Sequence, residues 1–133
     1  MKKDIRIPKV VDVSMAIVRE TEGLDADWGV YLINQKDQAL KDIIVSSKGY
    51  GELDGEKVAT SELRHYFDGL DAHSVHKVER IVPEVFGLNN QYFLTFYLDG
   101  EIYDRKFIFV PGSVANENLI EVPLVNLPGI LIR

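Results

Sequence analysis

His73 and His76 stand three residues apart, and His65 completes the set of three histidines. Neutral imidazoles ligate zinc, but zinc takes three or four convergent donors. On an extended strand a spacing of three sends the two rings to opposite faces. The pair therefore specifies no metal site and reads as polar residues on an edge strand, so no metal or cofactor is expected. There is no cysteine, which removes disulfides, thiolate ligands and a cysteine nucleophile together. The hydroxyl nucleophiles to weigh are Ser46, Ser47, Ser61 and Ser74 beside the threonines. None lies in the GxSxG elbow that exposes a catalytic serine. Glu20, Glu22, Asp25 and Asp27 make an acidic stretch, but the oxygen ligands of a calcium loop alternate and close on a glutamate. That pattern fails here, and a solvated loop is the reading. Residues 49–55, GYGELDG, are glycine-rich without the lysine and the strand-to-helix setting of a phosphate loop. No catalytic residue is assigned, and the chain reads as non-enzymatic.

The elements that carry these residues are legible from one stretch, YFLTFYLDGEIYDRKFIFV, residues 92–110. Asp99-Gly100 separates two aromatic-rich runs. Both residues tolerate the positive φ of a two-residue hairpin turn. Such a turn fixes the register, with Leu98 opposite Glu101, Phe96 opposite Tyr103, Leu94 opposite Arg105 and Tyr92 opposite Phe107. Opposed residues share a face. One face then carries Tyr92, Leu94, Phe96, Leu98, Tyr103, Phe107 and Phe109, and is expected to be buried. The other mixes Phe93, Thr95, Tyr97, Ile102, Asp104, Lys106 and Ile108, and is expected to be partly wet.

The remaining chain repeats this style. A polar leader, residues 2–9, precedes a β-branched strand over 10–19 with Val11, Val13, Met15 and Ile17 on one face. Trp28–Asn34 is apolar on both faces, as in a central strand. It is expected to form a hairpin with a strand over 40–48. Gly49-Tyr50-Gly51 should end that strand, leaving 49–55 as a mobile loop. Asp54-Gly55 and Asp68-Gly69 are turn signals on either side of a fourth strand over 57–67. Residues 74–82 suit either a helix face or an edge strand, and the short length between turns favours the strand. Pro83 ends it. Residues 113–118 have room for one helical turn, and 119–124 for a short last strand. Seven or eight such strands predict an all-β, immunoglobulin-like antiparallel β-sandwich in a single domain, with a small barrel as the alternative.

Bulk properties narrow the function classes. At 133 residues the chain suits one domain that buries roughly two-thirds of its unfolded surface. Apolar residues make up 46% and charged residues 27%, a globular composition. A net charge of −6 and a pI near 5.0 oppose nucleic acid as a partner. Asp4, Arg6 and Pro8 interrupt the apolar run that a secretory signal needs, and no window has transmembrane length. The expectation is a soluble cytoplasmic protein with no membrane partner.

The segments MKKDIRIPKV, WGVYLIN, VSSKGYG and LNNQYFLTFYLDGEIYDRKFIF resemble a family of short bacterial proteins found in Bacteroidetes. The similarity runs over nearly the whole chain. The resemblance implies a self-contained domain and brings no functional residues with it. Some members are labelled phenylalanyl-tRNA synthetase subunit, which would imply an accessory role in tRNA aminoacylation. The ATP-binding motif and the length of a class II synthetase core are both missing from this chain.

Two functional expectations follow. The first is a non-catalytic module acting through a protein partner or through self-association. Its surface would be Phe93, Tyr97, Ile102 and Ile108 of the wet hairpin face, with Ile130 and Ile132 of the apolar tail. Leu127, Ile130, Leu131 and Ile132 are the residues available to cover that face. The second is a small-molecule-binding or enzymatic site at one end of the sandwich, formed by residues 49–55 and 68–76 with His65, His73 and His76 as its polar groups.

Overall fold

Turn chemistry cuts residues 8–133, those that the computed structural model describes, into ten strands. They are β1 (Val13–Arg19), β2 (Trp28–Asn34), β3 (Leu40–Leu53), β4 (Glu56–Ala59), β5 (Leu63–Leu70), β6 (Ser74–Ile81), β7 (Asn89–Leu98), β8 (Glu101–Phe109), β9 (Ile120–Glu121) and β10 (Pro128–Ile132). The first sheet has the order β6-β2-β1-β10-β9. The second has the order β4-β3-β7-β8, and β5 shares the β4 edge of the long β3. Every pairing is antiparallel. The sheets do not close into a barrel, and the architecture is a β-sandwich. Most of the polar leader lies outside the described residues.

The β7–β8 hairpin has the register that its turn demands. Asp99 and Gly100 take φ of 51° and 75°, and Leu98, Phe96, Leu94 and Tyr92 oppose Glu101, Tyr103, Arg105 and Phe107. Leu94, Phe96, Phe107 and Phe109 are buried. They meet Met15, Ile17, Val30 and Leu32 of the first sheet in one core. Phe96 stacks on the half-buried Tyr103 at 5.1 Å between ring centroids.

Four expectations are corrected. First, β2 does not pair with β3. It lies between β1 and β6, while β3 belongs to the opposite sheet. The connection turns the corner because Asn34, fully buried, satisfies the backbone there. Its Nδ2 donates to Gln38 O (2.9 Å) and Asp71 O (3.0 Å), and its Oδ1 accepts from Lys36 N (3.0 Å). A local polar turn thus becomes a bridge between sheets. Second, Gly49-Tyr50-Gly51 does not end the strand or open a loop. β3 runs on to Leu53 with Gly51 at φ 149° and turns at Asp54-Gly55 into β4.

Third, the expected strand over 57–67 is two strands broken at Thr60. Each covers part of the same β3 edge, and Asp68-Gly69 lies inside β5 rather than in a turn. Fourth, the apolar tail does not reach the wet face of the hairpin. It forms β10 beside β1 in the other sheet.

Candidate functional site

The alternation of β6 breaks once, and that break places a charge between the sheets. Val30 pairs with Glu79 and Tyr31 with Lys77, so Val78 is an extra residue, a β-bulge. Strict alternation from His76 would point Glu79 outward. The bulge resets the phase, and Val78, Glu79 and Ile81 all face inward. The Glu79 side chain is 13% exposed.

Three strands of the opposite sheet supply its partners. Ser47 Oγ (β3) donates to Glu79 Oε1 at 2.8 Å, and His65 Nε2 (β5) lies 2.8 Å from the same oxygen. Tyr92 Oη (β7) donates to Oε2 at 3.3 Å. Burial, the charge of Glu79 and this hydrogen bond all push the Tyr92 hydroxyl far above its usual range. The cluster borders a cleft of about 330 Å³ whose wall includes Gly49, Leu63, Ile81 and Val85.

A serine, a histidine and an acid in contact suggest hydrolysis, but the order is wrong. In a nucleophilic triad the imidazole stands between hydroxyl and carboxylate and takes the hydroxyl proton. Here the carboxylate stands in the middle and holds both. The three donors neutralise the desolvation of one buried acid and tie the sheets together.

The two stretches expected to line an end pocket do not meet in this cleft. The cleft takes Gly49 from the glycine-rich stretch and nothing from residues 68–76. The histidines do not converge either. His73 sits at φ 52° in a turn with its Nε2 2.7 Å from Asp37, and His76 packs on Phe67 at 4.0 Å.

The outer face of the second sheet is the larger candidate. Tyr66 is 57% exposed, Phe93 39%, Tyr97 44% and Ile102 51%, and Ile44 is open beside them. Ile108 shares this face and is half-buried. Ile130 and Ile132, expected on the same surface, lie elsewhere. They oppose Ile17 and Met15 and pack into the core between the sheets. Tyr66 and Ile44, which extend the patch onto β5 and β3, were not singled out beforehand. Ile44 lies between Asp42 and Ser46, and only the β3–β7 and β3–β5 pairings place it beside the hairpin aromatics.

The registers set the patch in rows. Tyr66, Ile44, Thr95 and Asp104 form one, and Arg64, Ser46, Phe93 and Lys106 form the next. Asp42 accepts from Tyr66 Oη at 2.9 Å. This bond first, then desolvation and the charges of Asp42 and Asp68, pushes the Tyr66 hydroxyl up to about 12. Acidic groups thus gather at and beyond the first row, with Lys41 among them, and basic groups, with Lys48, at and beyond the second.

No family model, curated protein or solved structure matches the chain. Among the described residues no helix is long and apolar enough to cross a membrane.

Proposed function

We propose that this chain is a non-catalytic, immunoglobulin-like module that associates with a second copy of itself through the outer face of its second sheet. The observation that carries the reading is the polarity of that face. An exposed apolar centre of Ile44, Phe93, Tyr97 and Ile102 is flanked by Asp42, Asp68 and Asp104 with Lys41 among them at one end, and by Arg64, Lys106 and Lys48 at the other. A two-fold axis lying in the interface, across the strands and between the two rows, superposes each row on its neighbour in the other copy. Asp104 then meets Lys106, and Tyr66 meets Arg64. The rows are about 7 Å apart along the strands, so this needs no displacement of the apolar centre. Interfaces of this symmetry must be self-complementary, and apolar faces left open on a folded domain mark association surfaces.

Sedimentation velocity over a concentration series tests the proposal. A dimer is expected, with Phe93→Asp returning it to monomer and added salt weakening it. A wild-type chain that stays monomeric up to about 1 mM, or a dimer indifferent to Phe93→Asp, overturns it.

A further inference from the structure

Arg19 is the last residue of β1 and shares its inward parity with Met15 and Ile17. It opposes Trp28 at the end of β2, where the sandwich opens. A cleft of about 280 Å³ lies there, just under the usual size of ligand pockets. Its apolar floor is Trp28 against Phe86, edge to face at 5.1 Å, with Pro83 and Val114 beside them.

The guanidinium in this cleft is incompletely used. Its Nη1 donates to Asn116 Oδ1 at 3.0 Å, while Nε is buried with no partner. Among the described residues no carboxylate lies within ion-pair distance of it. Arginine keeps its charge at all accessible pH and presents its donors as a planar fork. Nε is enclosed, so a ligand in the cleft meets the Nη edge of the fork, and the group that best matches that edge is a carboxylate.

The rim restricts the choice further. The 20–27 loop beside the cleft is closed at its base by Glu20 N to Asp27 O (2.7 Å) and by Asp27 N to Thr21 Oγ1 (2.8 Å). It exposes Glu22 and Asp25, which repel a doubly charged anion more than a single carboxylate. Leu24 stands fully exposed on the same loop and lines the cleft.

We infer that this cleft binds a small organic carboxylate with an apolar body, its carboxylate on Arg19 and its body on Trp28, Phe86 and Leu24. This site is at the end of the sandwich and is independent of the association proposed above.

Trp28 is the only tryptophan, so its fluorescence reports the site directly. The full chain is titrated with phenylacetate, with 2-phenylethanol and inorganic phosphate as controls. A saturable change is expected with phenylacetate alone. Arg19→Gln should weaken it at least about tenfold. Arg19→Lys, which keeps the charge but loses the fork, should also weaken it, with the circular dichroism spectrum of the wild type preserved in both variants. If Arg19→Gln fails to fold, the Arg19→Lys titration decides. No saturation with phenylacetate, equal binding by the correctly folded variants, or equal binding of 2-phenylethanol or phosphate overturns the inference.

Discussion

The two sheets have one shared inner face and two very different outer faces. On the first sheet Ala16, Val18 and Ile33, with Leu131 of β10 beside them, lie under a cover that includes the buried Val122 together with Val125 and Leu127. The C-terminal segment makes this second small core. It folds back through bonds from Val122 N to Leu127 O and from Asn126 N to Val122 O, with Leu124 and Asn126 at positive φ. On the second sheet, among the described residues, no such segment lies over Ile44, Phe93, Tyr97 or Ile102. The apolar C-terminal segment thus covers the outer face of the first sheet. What distinguishes a structural face from a candidate interface here is the cover, since both faces carry apolar residues.

Substitutions can break that contrast. The largest effect is expected for Ile33→Ala, which leaves a cavity under the cover and should cost about 2–5 kcal/mol in urea denaturation. Gly129→Ala comes next, at about 1–3 kcal/mol. Its added Cβ would lie 2.7 Å from the Ile17 carbonyl oxygen and 2.8 Å from Val122 Cγ2, so β10 could not stay close to β1.

A pH effect is shared by the interior and both outer faces. Burial first, then the hydrogen bond and charge of Glu20, raises the Tyr31 hydroxyl to about 12, and the hydroxyls of Tyr66 and Tyr92 are raised too. Raised values mean that the folded state holds these protons more tightly than the unfolded state, whose tyrosines titrate near 10.0. Stability should be intact below pH 10 and fall as pH rises from there through 12. Tyr92→Phe should flatten the fall in denaturation curves recorded at pH 9 and pH 11.

The smallest effect is expected on the open face. Phe93→Thr in protein diluted to monomer should change stability by no more than about 0.5 kcal/mol. A loss of the size expected for Ile33→Ala would mean that Phe93 is covered after all.

The sites differ in how far the sequence announced them. The open face was half visible, because alternation about Asp99-Gly100 separates Phe93 and Tyr97 from Phe96 and Leu94. Its other half, on β3 and β5, needed the strand neighbours. Arg19 carried a signal, since it continues the parity of Met15 and Ile17, but parity does not say that the sandwich ends there. Glu79 carried none. A bulge inserts one residue without a distinctive residue type, and every side chain after it changes sides.

Residue types and spacing settled most strand positions, the hairpin register and the inward set of that hairpin, because a two-residue turn and the two-residue period of a pleated strand act over neighbouring positions. Which strands share a sheet, which outer face the C-terminus covers, and where Asn34, Glu79 and Arg19 find partners were decided only in three dimensions. Those outcomes depend on groups far apart in the chain competing to bury apolar surface and satisfy polar atoms together, and no local stretch encodes the winner.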